Sequence, residues 1–286
     1  MRIDDALVWA AKELEGGESP SVDAKVLLAN VIGKDATYLF TWPDKTLETQ
    51  ALERFKQAIE RRRLGEPVAY ITGKRDFWTL TLATSPHTLI PRPDTEVLVE
   101  QVLNRLPHSN KGNEDNDACF SICDLGTGTG AIALALATEL PQASVTGIDF
   151  KQEAVELATH NASVNRISNA TFIQSDWFAA LNNMQFDVIV SNPPYIEDSS
   201  TYLKQGDVQF EPKTALISGK DGLRDIRHII NKSQSYLAAG GLIAFEHGFN
   251  QGESVRTLLL KAGFTDVETV KDYGGNDRVT LGFLPI

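Results

Sequence analysis

From Phe120 onward the chain switches repeatedly between short apolar segments rich in β-branched residues and longer segments with helical spacing, and few folds accommodate that pattern. FSICDLG is followed by GAIALALATEL, and ASVTGIDF by KQEAVELATHNAS; ATFIQSD, FDVIVSN and GLIAFEHG come next, the last leading into a helix that runs to about Ala262. Strands joined by helices run parallel, and strands that read as continuous apolar runs are covered on both faces. The pattern therefore predicts an α/β unit with a parallel sheet between two layers of helices. Two last strands, near Val267 to Asp272 and Arg278 to Leu284, are separated only by DYGGND, a hairpin-type connection. At least one of them must run antiparallel.

The first 70 or so residues follow a different period. Ile3, Ala6, Leu7, Ala10, Ala11 and Leu14 share one helical face, and the Glu15 to Glu18 run stops it. Ser21 then reads as the cap of a helix carrying Ala24, Leu27, Leu28 and Val31, and a third helix from about Leu47 to Arg63 aligns Leu52, Phe55 and Ile59. This is the signature of a small helical bundle. FWTLTLATS, with alternating and β-branched character, and the proline-rich IPRPDTE read as a hairpin linker, and Pro93 and Asp94 open a helix to about Leu106. The expected division is 1–72 for the helical domain, 73–93 for the linker and 94–286 for the α/β domain, with the polar stretch from Ser109 to Asp117 as a solvated loop.

A net charge of −11 is unfavourable for gripping a long nucleic-acid backbone. Arg61, Arg62 and Arg63 are the one candidate basic patch; at a helix C-terminus they are expected to complement the macrodipole and solvate the surface. Cys119 and Cys123, the only cysteines, are expected to pack in a buried strand, and the five histidines lack metal-cluster spacing. No apolar run is long enough to span a membrane and the N-terminus lacks a signal-peptide pattern, so a cytoplasmic protein is expected.

Three motifs carry chemistry. Asp124-Leu-Gly126-Thr127-Gly128-Thr129-Gly130 follows a strand and opens a helix, which lets backbone approach a ligand closely at the sheet edge. With Ala131 it also fits a dinucleotide fingerprint, so a nicotinamide cofactor stays open at this point. Asp149 ends the next strand, where an acidic side chain accepts ribose hydroxyls; capping the following helix is its other reading. Asn192-Pro193-Pro194-Tyr195 follows the apolar strand FDVIVS. Two consecutive prolines fix the backbone, so the Asn192 side-chain oxygen and the Pro193 carbonyl can accept both N–H groups of one planar NH2, with the Tyr195 ring packed on its flat face.

IPRPDTE, DLGTGTGAIALALA, QSDWF, VSNPPYI, QGDVQFEP, EHG and RVTLG together resemble the HemK/PrmC family, the peptide-chain release-factor glutamine methyltransferases, over essentially the whole chain from the helical domain onward. The resemblance implies a seven-stranded Rossmann-like methyltransferase fold that uses S-adenosylmethionine, with an N-terminal helical domain that helps hold a release factor. It implies that Gly126 to Gly130 cradle the methionine end of the cofactor, that Asp149 holds its ribose and that Trp177 lies by its adenine. Asn192, also at the cofactor, would hold the substrate glutamine with Pro193, Pro194 and Tyr195, and Asn192, Pro193 and Tyr195 would serve catalysis. No metal, membrane or DNA partner is implied. Arg92 and Glu96 are left outside the site as residues that fix the linker. The alternative is an adenine methyltransferase, because adenine presents the same planar amine; an oxidoreductase has no use for Asn-Pro-Pro-Tyr, and an adaptor has no use for either motif.

Overall fold

The computed structural model describes residues 1–106 and 119–286, so the expected Ser109 to Asp117 loop lies outside the described residues. These residues divide into two compact units, one formed by Met1–Lys74 with Lys204–Phe210 and the other by Arg75–Leu203 with Glu211–Ile286. None of the described helices is long and apolar enough to cross a membrane.

The helical unit has α1 (Ile3–Glu13), α2 (Pro20–Ile32), α3 (Ala36–Thr41), α4 (Thr49–Arg63) and α5 (Val68–Thr72). The sequence pattern predicts only three of them; α3 and α5, with six and five residues, are too short for a period to register. The cap of α2 is also earlier than expected. Ser19 occupies the N-cap position and Pro20 the first helical turn, where its missing N–H costs nothing. Ile3, Ala6 and Ala10 from α1, Leu27 and Leu28 from α2 and Phe55 and Ile59 from α4 form the buried centre. Each fully buried Leu, Ile or Phe there contributes roughly 1.5–3 kcal/mol of transfer free energy.

The arginine run occupies the last turn of α4, as expected, and its charges are paired with carboxylates. Arg61 pairs with Glu66 and Arg63 with Glu60, while Arg62, the least exposed of the three, pairs with Asp23 at 2.7 Å and Asp207 at 2.9 Å within the same unit. Three of the four carboxylate partners are near in sequence or supplied by the bundle, and the fourth, Asp207, comes from a segment that sequence distance hides.

The α/β unit opens with a hairpin, β1 (Lys74–Phe77) and β2 (Leu80–Ala83), and a 3₁₀ turn at Pro93–Thr95 leads into α6 (Glu96–Arg105). The main sheet contains β3 (Ser121–Leu125), β4 (Ser144–Asp149), β5 (Ala170–Gln174), β6 (Phe186–Ser191), β7 (Leu237–Glu246), β8 (Thr265–Lys271) and β9 (Asp277–Phe283), in the order β5-β4-β3-β6-β7-β9-β8. β5, β4, β3, β6 and β7 are mutually parallel, and β9 runs antiparallel between β7 and β8. This is the seven-stranded arrangement expected, with β9 supplying the reversal that the short DYGGND connection requires.

The remaining helices are α7 (Ala131–Glu139), α8 (Gln152–Val164), α9 (Arg224–Ser233) and α10 (Gly252–Lys261). α9 escaped the sequence pattern although Ile226, Ile229 and Ile230 are helically spaced and buried. Successive strand residues face opposite sides: Ile122, Val188 and Leu242 join one core layer and Cys123, Ile189 and Ile243 the other. Cys119 departs from its expected burial. It precedes β3, is exposed, and its thiol donates to the Gln142 carbonyl at 3.0 Å, whereas Cys123 is buried. Within β4, Gly147 stands where a β-carbon would come within 2.4 Å of the Phe172 ring.

The order places β3 between β4 and β6. Crossovers leave β3 toward one side first and the other side later, so the C-terminal ends of β3, β4 and β6 border the crevice where ligands of open α/β sheets bind.

Candidate active site

A cavity of about 600 Å³ opens at those strand ends. That is within the range of small-molecule sites. Its lining includes Gly126, Thr127, Gly128 and Thr129 after β3, Asp149 after β4, Trp177 after β5, and Asn192 and Pro194 after β6.

After Leu125 the backbone turns at Gly126 with φ 76°, and the N–H groups of Gly126 and Thr127 both donate to the Ile148 carbonyl at 2.8 Å. Only glycine takes that φ without strain. Gly130 is different: it is not in the cavity wall, and a β-carbon there would lie 3.1 Å from Ala158 and 3.2 Å from Leu134. The last glycine of the motif thus lets α7 pack against α8.

Two carboxylates brace this loop from beneath. Asp124 is buried; its Oδ2 accepts from the Thr127 hydroxyl at 2.7 Å and from the Ala133 N–H at 3.2 Å, and its Oδ1 has no partner. Burial pushes its carboxyl up to about 7 against those two bonds. Asp149 accepts from Gly128 N–H through Oδ2 and from Lys151 N–H through Oδ1, both at 2.9 Å. Burial raises its pKa while the N–H groups oppose the rise. The Lys151 bond caps the start of α8, so capping and ligand binding are compatible: an ionised carboxylate has about four acceptor sites, and two remain.

Trp177 holds a left-handed φ of 49°, unusual for a bulky residue. Its carbonyl accepts from the Ser175 hydroxyl at 2.9 Å, and the same hydroxyl accepts from Ala180 N–H. The ring lies over Gly126, 3.7 Å from where a β-carbon would stand.

Asn192 follows β6. Its Nδ2 donates to the Thr95 hydroxyl oxygen at 3.2 Å, and neither its Oδ1 nor the Pro193 carbonyl accepts a hydrogen bond among the described residues. Pro193 and Tyr195 are not part of the cavity wall. The Tyr195 hydroxyl is drawn inward to Glu246 Oε1 at 3.2 Å, and its carbonyl accepts from Gln251 Nε2 at 3.0 Å. Burial and the Glu246 charge push its phenol well above the usual tyrosine range. The Tyr195 side chain is thus anchored at its hydroxyl end by a buried carboxylate.

Three contributors were not picked out by sequence reasoning. Thr95 is buried and lines the cavity. Glu246, the last residue of β7, is buried under the Asn-Pro-Pro-Tyr loop, and burial raises its pKa. Arg92, set aside as a linker residue, lines the cavity and pairs with buried Glu211, whose other oxygen accepts from Ile90 N–H at 2.8 Å. Glu96 does fix the hairpin, accepting from Trp78 N–H at 2.8 Å. An acidic residue closing an otherwise apolar strand, as in AFEHG, is the signal that would have found Glu246.

Residues 116–263 match the methyltransferase domain and residues 5–73 the PrmC N-terminal domain. The methyltransferase from Pyrococcus furiosus superposes with a TM-score of 0.52 at 19% identity, covering 72% of this chain and 90% of its own. The T. thermophilus 16S rRNA N2 G1207 methyltransferase, solved with AdoMet and guanosine, gives 0.53 at 22% identity over 74% of this chain and 49% of its own. At such identities these likenesses speak to the fold, which is that of a Rossmann-like methyltransferase. The release factor glutamine methyltransferase of Aliivibrio fischeri is 50% identical over 94% of this chain and 92% of its own length, and that of Escherichia coli 49% over 96% and 95%. On that match the chain belongs to the release factor glutamine methyltransferase family.

Proposed function

We propose that this enzyme transfers a methyl group from S-adenosylmethionine to the side-chain amide nitrogen of the glutamine in the Gly-Gly-Gln motif of a translation release factor. The observation that carries the reading is at Asn192: its amide is tied down at the nitrogen end while its oxygen, and the Pro193 carbonyl beside it, remain available as acceptors. An amide NH2 offers two N–H donors to two such acceptors.

The site fits the cofactor. Gly126 and Gly128 bring backbone to the cavity wall without side chains, Asp149 keeps acceptor capacity for two ribose hydroxyls, and Trp177 offers an aromatic surface. In this proposal Gly126, Thr127, Gly128 and Thr129 hold the methionine end, Gly130 contributes through helix packing, and Asn192 meets both ligands. When bound, S-adenosylmethionine supplies a methyl group already made electrophilic by the sulfonium.

The residues of the chain then have to prepare a poor nucleophile. An amide nitrogen shares its lone pair with its carbonyl. Hydrogen bonds from its two N–H groups to Asn192 Oδ1 and the Pro193 carbonyl favour a more pyramidal, electron-richer nitrogen and stabilise the positive charge that grows there. Fixed acceptors of this kind contribute about 3 kcal/mol each. Holding the nitrogen in place contributes a proximity effect that reaches roughly 7–11 kcal/mol in well-oriented systems. Pro194 walls the site, and Tyr195 holds the loop from below. The nitrogen, acidic once alkylated, releases a proton to water, so no strong base is required.

The helical unit lacks cofactor motifs and is assigned to recognition of the protein substrate; a cytoplasmic location belongs to the same reading. The test is incubation with radiolabelled S-adenosylmethionine and either a release factor, the same factor with its Gly-Gly-Gln glutamine changed to alanine, or duplex DNA. Label on the unaltered factor alone is expected. Label on DNA, or equal label on the altered factor, overturns the proposal.

A further inference from the structure

Thr95 and Glu246 are buried polar residues for which the methyl-transfer scheme has so far no use. Thr95 accepts from Asn192 Nδ2 at 3.2 Å, and its hydroxyl neighbours the Glu246 carboxylate and favours the charged form of that group, as a donor would. Tyr195 donates its own hydroxyl to Glu246 Oε1 at 3.2 Å. The Glu246 Oε2 has no partner, although Arg278 lies near enough to favour the charged carboxylate. Packing alone does not call for a carboxylate in such a place, because burying it is costly.

The chain of donors has a direction. A hydroxyl has one proton, so a threonine that gives it to a carboxylate can only accept from its other neighbour. The neighbour is the Asn192 amide, whose two ends are nearly equal in shape and opposite in hydrogen-bonding character. Turned by half a rotation, Asn192 would present N–H donors toward a substrate NH2 that needs acceptors. Thr95, fixed as an acceptor by Glu246, holds the nitrogen end.

We propose that Thr95 and Glu246 are positioning residues for the reaction: through the Thr95 hydroxyl they set the rotation of the Asn192 amide so that Oδ1 faces the substrate nitrogen. Tyr195 shares the same carboxylate, so both side chains of the substrate loop take their orientation from Glu246. The inference rests on the proposed glutamine methylation and adds to it the residues that make Asn192 an acceptor.

Single-turnover methylation of a release factor is measured for the wild-type enzyme, Thr95→Val, Thr95→Ser, Glu246→Gln, Asn192→Ala and the Thr95→Val/Asn192→Ala double variant, together with cofactor dissociation constants and melting temperatures. Thr95→Val, close to isosteric but without the hydroxyl, is expected to slow the reaction about tenfold, the scale of one positioned hydrogen bond, with cofactor affinity unchanged. Thr95→Ser recovers most of that loss. In the Asn192→Ala background Thr95→Val has no further effect, since it acts only through the amide it orients. A Thr95→Val rate within twofold of wild type overturns the inference, as does the same slowing with and without Asn192. Should Thr95→Val fail to fold, Glu246→Gln in the two backgrounds decides by the same criterion. If the wild-type enzyme transfers no methyl to release factor, the underlying reading falls and the inference with it.

Discussion

The loops after β3 and β6 border the same cavity and are fixed by different means. The Gly126 to Gly130 loop is held chiefly through its backbone: N–H groups of Gly126, Thr127 and Gly128 are bound by the Ile148 carbonyl and Asp149. The Asn192 to Tyr195 loop is held chiefly through side chains, with Asn192 on Thr95 and Tyr195 on Glu246, together with one glutamine bond to the Tyr195 carbonyl. A loop whose job is to let a ligand approach needs shape, and backbone supplies shape. A loop whose job is to present an acceptor of the right sign needs particular functional groups in particular rotations, and those have to be held by others.

The sharpest way to break that contrast is to remove the presented group. Asn192→Ala is expected to lower turnover on release factor by about 10²–10³-fold, the range for loss of a preorganised electrostatic contact, while cofactor affinity falls only modestly. Near-normal single-turnover rates at saturating substrate would end the two-acceptor mechanism. On the backbone-held side, Asp149→Ala should weaken S-adenosylmethionine by roughly 1.5–3 kcal/mol, as for a charge-assisted hydrogen bond, in a protein that remains folded. Calorimetric titration reads this directly, and an unchanged dissociation constant would leave Asp149 as a helix cap alone.

Smaller effects sharpen the comparison. Tyr195→Phe keeps the ring and removes the bond to Glu246, so unfolding in denaturant should show a loss of about 1–2 kcal/mol, with little change in cofactor binding. The smallest effect is a slope. The Asp124 carboxyl is raised from 3.8 to about 7, so its protonated form is favoured by folding. The stability it contributes is full below the unfolded pKa and is lost as pH rises through about 7. Between pH 5 and 7 the wild-type protein should therefore lose up to about 1 kcal/mol per pH unit from this group, and Asp124→Asn should flatten that decline. Parallel slopes for the two proteins would show that Asp124 does not titrate there.

What was legible in the sequence follows from the same contrast. Gly126 to Gly130, Asp149 and Asn192 to Tyr195 stand in contiguous motifs at strand ends, so backbone logic and residue type locate them without a structure. Thr95 and Glu246 belong to the side-chain network and are separated from Asn192 by long stretches of chain. Tertiary structure brings them together: in the register that pairs Ser191 with Phe245, the next residues along β6 and β7 are Asn192 and Glu246, and the turn at Pro93–Thr95 sets the Thr95 hydroxyl against the Asn192 amide. The inward turn of Tyr195 was hidden for the same reason. Elsewhere α9 went unread although its isoleucines are helically spaced, whereas the short α3 and α5 offered no period to read.

Gly147 lies inside β4, where β-branched residues are the usual choice, yet a β-carbon there would stand 2.4 Å from the Phe172 ring and 2.8 Å from the Thr127 hydroxyl. Phe172 fills from the next strand the space that Gly147 leaves in its own, directly beneath the loop that borders the cavity. The two positions therefore form a lock in mutational space. A bulkier residue at 147 becomes accessible only after the aromatic ring at 172 has shrunk and the Thr127 hydroxyl has turned aside, and a return to the ring requires glycine at 147 first.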